Sequence, residues 1–66
     1  MEGYSVLVTT HSKQIAVPFN TKNEAIGYIA YIYRNYKTRF NSAKVVPTQQ
    51  LDRRVEQQDD FRFLAA

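Results

Sequence analysis

The chain has 66 residues, one histidine, no cysteine and a formal charge of +3 from nine Lys/Arg against six Asp/Glu. A chain this short forms one domain that buries only about 60% of the surface its unfolded form exposes, which leaves no room for a deep catalytic cleft. Without cysteine it has neither a disulfide framework nor a thiolate metal site. No apolar run approaches the roughly 20 residues of a membrane span, so a soluble protein of a reducing, cytoplasmic compartment is expected.

In chain order, Tyr4, Val6 and Val8 alternate with Ser5, Leu7 and Thr9, the two-residue period of a strand. Ile15, Val17 and Phe19 repeat that period over Gln14 to Phe19, and the short polar link from Thr10 to Lys13 predicts that the two runs pair as a hairpin. Pro18 cannot donate to a ladder, which puts the second strand at an edge or ends it there.

Thr21-Lys22-Asn23-Glu24 reads as a capping box, with the Thr21 hydroxyl accepting from the Glu24 amide and the Glu24 side chain reaching back. The helix it opens should run to about Asn41-Ser42. At about 100° per residue, Ala25, Ile26, Ile29, Ile32, Tyr33, Tyr36 and Phe40 fall on one arc, Tyr28 lies at its border and Tyr31 outside it. Gly27 and the β-branched isoleucines give this helix mediocre propensity, so packing on the sheet must hold it.

Ala43 to Val46 reads as a third strand closed by Pro47. A right-handed crossover returns it beside the first strand, antiparallel to it. The fold class is therefore α+β: a three-stranded antiparallel sheet of ββαβ connectivity, order 2-1-3, packed by one long helix. Residues 1 to 48 form this domain and 49 to 66 a C-terminal extension. In the extension Thr48 could cap a short helix to about Gln58 with Leu51 and Val55 as its apolar side, and Phe61 to Leu64 forms a fourth strand or a docking tail.

No catalytic residues and no metal or other cofactor are expected. His11 sits in a predicted turn with no acid near it in sequence, so a nucleophilic triad has no support. Asp52, Glu56, Asp59 and Asp60 are interrupted by Arg53 and Arg54, which favours surface ion pairing over a hard-metal site. What stands out is a helix with more rings than one core stripe needs: Tyr28, Tyr31, Tyr33, Tyr36 and Phe40, interleaved with Arg34, Lys37 and Arg39. Tyr33, Tyr36 and Phe40 are assigned to the core. Tyr31 and Arg34 lie on the outer side, and Tyr and Arg are enriched at interface hot spots.

Residues 34 to 44 carry Arg34, Lys37, Arg39 and Lys44 and no acid. Partner binding is accordingly placed on Tyr31 and Arg34 of the outer helix, with Arg39 and Lys44 supplying charge complementarity that chiefly raises association rate. The alternative is a nucleic-acid-binding module in which Arg34, Lys37 and Arg39 neutralise phosphates and Tyr28 stacks on bases. The helix phases spread those cations over more than one face. A homodimer in which the surplus rings pack on a symmetry mate is a third possibility.

Two short C-terminal patterns complete the reading. Gln58 to Phe63 loosely resembles peptides that dock in the bacterial sliding clamp, and Leu64-Ala65-Ala66 resembles the ending that delivers tagged bacterial proteins to an unfoldase-protease.

Val17-Pro18-Phe19, the Thr21-x-x-Glu24-Ala25 cap, a helix ending in aromatics and a strand closing in Val46-Pro47 together resemble the small RNA-polymerase inhibitors of short-tailed bacteriophages. The resemblance covers about residues 4 to 48. It implies a hairpin-helix-strand fold and a stoichiometric, non-enzymatic role in host takeover, with bacterial RNA polymerase the favoured partner in the bacterial cytoplasm. Lys44 matches a basic residue that these inhibitors place on their last strand, Val46 stands where they have another, and their acidic helix face is missing here. Similar small folds occur among phage inhibitors of CRISPR complexes.

Overall fold

The computed structural model describes residues 3 to 65. Strand β1 (Tyr4–Thr9) pairs antiparallel with β2 (Gln14–Phe19) on one side and with β3 (Ser42–Pro47) on the other, and helix α1 (Lys22–Tyr36) connects β2 to β3. The order 2-1-3 holds for these three strands. A two-residue strand β4 (Glu56–Gln57) adds to the far side of β2 in parallel, so the sheet is four-stranded and mixed, ordered β3-β1-β2-β4.

Register assigns the faces. Tyr4, Val6 and Val8 stand opposite Phe19, Val17 and Ile15 and opposite Pro47, Val45 and Ala43, and directly paired residues share a face. Val6, Val8 and Val17 form the core with Ala25 and Ile32 of α1 and with Phe40, Phe61 and Leu64. Ser5, Leu7 and Ala16 point to the opposite face, and there Ser5, fully buried, hydrogen-bonds Thr48 between hydroxyl oxygens at 2.8 Å.

That contact explains how the chain reaches β4. The α1 crossover moves from β2 to β3, and the next connection must travel back across β1 and β2. If both connections keep the right-handed sense, reversing the direction of travel requires the opposite face of the sheet. Residues 48 to 55 lie there, as a 3₁₀ turn (Thr48–Gln50) and then a turn in which the Asp52 carboxylate accepts from the Arg54 amide (2.9 Å) and its carbonyl from the Val55 amide (3.1 Å). The helix expected over 48 to 58 does not form. Leu51 and Val55 are half-buried on an irregular crossover whose Asp52 satisfies the backbone locally, a competition with helix that aspartate wins readily.

β4 is held by the Gln58 amide donating to the Ala16 carbonyl (3.0 Å) and by Lys13 Nζ donating to Glu56 Oε1 (3.2 Å). Pro18 fits this arrangement. The Ala16 carbonyl faces β4, so the Pro18 nitrogen two residues on faces the same edge, beyond the last β4 pair, where no donor is needed. Gln58 and Lys13 hold the Glu56 carboxyl below the usual carboxylate range. A lowered carboxyl contributes stability that is present above its unfolded pKa and lost as pH falls through the folded one. Amide-exchange protection at Gln58 should therefore be level from neutral pH down to the ordinary carboxylate value and drop below it. Glu56→Gln should show no such pH-dependent drop.

Helix α1 opens as the sequence predicts. Thr21 is extended (φ −129°, ψ 156°) and its Oγ1 accepts from the Glu24 amide at 3.2 Å. The Glu24 carboxylate closes the motif by accepting from the Thr21 hydroxyl at 3.1 Å, rather than from the Thr21 amide. Thr21→Ala is expected to cost about 1 kcal/mol, read as a fall in Tm of roughly 4–8 °C for a domain this size.

Two expectations about α1 are corrected. The helix ends at Tyr36 and tightens into a 3₁₀ turn (Lys37–Arg39), so Phe40 enters the core as an extended residue (φ −148°, ψ 160°) after the turn and not as part of the helical arc. The buried side is also narrower than that arc: Ala25 and Ile32 are buried, while Ile26 is 50% and Tyr33 42% exposed. Both flanks of the buried stripe stay half-exposed: Tyr28, on whose ring Phe61 of the C-terminal segment stacks at 5.7 Å, is 46% exposed.

The tail thus docks. Phe61 and Leu64, the latter in the four-residue helix α2 (Arg62–Ala65), are 7% and 1% exposed. The chain beyond residue 48 supplies a strand to the sheet and two side chains, Phe61 and Leu64, to the core.

Candidate functional site

Wrapping the tail against α1 creates a groove of about 860 Å³. Its floor is Val17 and Phe19 of β2. Gly27, Tyr28, Tyr31 and Tyr36 form one wall, and Phe61 with Arg62 and Ala65 the other. The rings are continuous: Phe19 stacks on Tyr28 at 4.8 Å, Tyr28 meets Tyr31 edge-on at 6.1 Å and 75°, and Tyr31 meets Tyr36 at 6.1 Å and 72°. At Gly27 an added Cβ would meet nothing within 4 Å, so the helix backbone is open there. Carboxylates stand at the edge, Glu24 from the first turn of α1 and Asp59 and Asp60 from the tail. Arg62, the single guanidinium on the lining, is paired with Asp60 at 3.0 Å.

Tyr31 is 48% exposed, as its helical phase requires. A side-chain hydrogen bond with Tyr36, followed by the charge on Tyr36 and a small effect of burial, raises the Tyr31 phenol above its ordinary value. The Tyr31 hydroxyl therefore stays protonated at neutral pH. On the other flank the Tyr33 hydroxyl accepts from the Ala43 amide at 3.4 Å and its ring meets Phe40 at 5.1 Å.

The four residues assigned to partner binding do not share a face. Tyr31 lines the groove and Arg34 is exposed on the same helix. Arg39 stands on the 3₁₀ turn beyond it. Lys44 lies on β3, in register with Leu7, which points away from α1; it belongs to the opposite side of the sheet, on the outermost strand. Among the nucleic-acid candidates, Arg34 and Lys37 are exposed, while Tyr28 has one ring face stacked on Phe19 and sits in the groove with the carboxylates.

The clamp-like C-terminal pattern is used internally. Phe61 is buried and Phe63 half-buried, so the clamp-like peptide is committed to this core. Leu64 is buried, Ala65 is exposed and Ala66 lies outside the described residues.

Sequence reasoning missed Phe19, Phe61, Glu24 and Asp59 as site residues, because the groove joins segments about forty residues apart. The one available signal was the i, i+3 spacing of Phe61 and Leu64, which a single helical turn places on one side. No group of three or more metal-ligating side chains occurs among the described residues, and no helix there is long and apolar enough to cross a membrane. Comparison of the chain with protein-family models, curated proteins and solved structures found no match.

Proposed function

We propose that this protein is a stoichiometric binder of another protein, an accessory inhibitor of the phage type whose favoured target is bacterial RNA polymerase. The observation that carries the reading is the half-exposure of Tyr28 and Tyr31 on the wall of an open groove. A small domain gains stability by covering such rings, and exposed tyrosines beside a concave surface suit the desolvated centre of a protein interface. The acids at the groove edge disfavour phosphate at Tyr28, which weighs against base stacking there.

A titration into purified RNA polymerase tests the target. Transcription should fall linearly and reach its floor near one equivalent of the protein. Unchanged transcription at large excess would remove polymerase as the target and pass the reading to another host complex, such as a CRISPR effector.

A further inference from the structure

We infer that the groove between α1 and residues 59 to 65 seats an arginine side chain carried on an extended segment of the partner protein. The inference rests on the protein-binding reading and adds the chemistry that the partner must present.

The groove differs in charge from the rest of the molecule. The chain is positive overall, +3, yet the lining of this groove carries three carboxylates, Glu24, Asp59 and Asp60, against one cation, Arg62. Glu24 accepts from the Thr21 hydroxyl with one oxygen, and Asp60 accepts from Arg62 with both, from its amide at 3.1 Å and its guanidinium at 3.0 Å, which leaves Asp59 as the carboxylate with no such bond among the described residues. An anionic rim above aromatic walls selects cations.

The walls add the second element. Tyr28 and Tyr31 meet at 75°, so their ring planes form a corner, and a cation within about 6 Å of a ring centroid is attracted by the ring quadrupole. Arginine suits the corner better than lysine because its planar guanidinium can stack on one ring while donating to carboxylates in its own plane. The space also fits. About 860 Å³ is more than one side chain requires, and the absence of a side chain at Gly27 lets a neighbouring stretch of backbone lie against the helix. Nucleic acid is disfavoured by the same carboxylates.

The test uses the full-length ¹⁵N-labelled protein, titrated with acetyl-arginine-amide and, separately, with its neutral isostere acetyl-citrulline-amide. Saturable shifts are expected at the Gly27, Tyr28 and Tyr31 amides with the arginine compound, at about 1–10 mM for so small a probe. Citrulline should bind at least about tenfold more weakly. Asp59→Asn, exposed and outside the helical cap, should weaken arginine about threefold while leaving the free spectrum native-like.

Equal response to citrulline, shifts confined to β3, or no saturation at the groove would overturn the inference. So would concentration-dependent shifts of the free protein at these amides, which would show a second copy already in the groove. Loss of arginine binding with partner capture intact would refute the seat alone. Arginine binding with no protein partner captured would refute the functional reading and leave the seat standing.

Discussion

Leu64→Ala is expected to lower the unfolding free energy by about 2–5 kcal/mol, the range for truncating a fully buried leucine. The side chain is 1% exposed and belongs to the same core cluster as Val6, Val17 and Ile32. Marginal stability makes this a large effect. At about 0.05–0.15 kcal/mol per residue, a chain of this length has roughly 3–10 kcal/mol in total, so the variant should be close to unfolding at room temperature. Urea denaturation with an unchanged slope would separate lost packing from a changed denatured state. Phe61→Ala should act in the same direction, by about 3–5 kcal/mol, and should also remove one wall of the groove. Were residues 49 to 65 an appendage, Leu64→Ala would move the midpoint by no more than an ordinary surface substitution does.

Tyr31→Ala is expected to weaken partner binding at least about 30-fold, the loss typical of a central interface tyrosine, with the fold retained because the ring is half-exposed. Competition against labelled wild-type protein would read the ratio directly. Lys44→Glu provides the matching control. It lies across the sheet from the groove, so it should alter association rate and salt dependence without comparable loss of affinity. The opposite ranking would move the interface to the β3 side.

How far the sequence could be read depended on the range of the interactions involved. The hairpin, the Thr21 cap and the order of the first three strands followed from two-residue alternation, one capping motif and crossover handedness, all of them local or general rules. The exposure of Tyr31 followed from helical phase. Local rules failed where distant segments compete for the same surface. Ile26 and Tyr33 share a helical side with core residues yet stay half-exposed, while Phe61 and Leu64 arrive from the end of the chain to fill core positions beside Ala25 and Ile32 that no local rule assigns.

Residues 48 to 58 failed for a different reason. Leu51 and Val55 have helical spacing, but the segment must cross from β3 to β4 over the buried Ser5, and an Asp52-centred turn meets that demand better than a rigid helix. The groove itself was legible only in parts: the tyrosines could be singled out, whereas Phe19, Glu24 and Asp59 become site residues only once the tail is docked.

The central claim, that α1 and its groove bind a protein, is tested most directly by parallel capture from nuclease-treated bacterial lysate with N-terminally tagged wild-type protein and Tyr31→Ala. The account predicts one protein complex recovered in stoichiometric amount by the wild type, retained as salt is raised, and lost with Tyr31→Ala. Recovery of no protein, with binding seen only when nucleic acid is left intact and weakening steeply with salt, would contradict it.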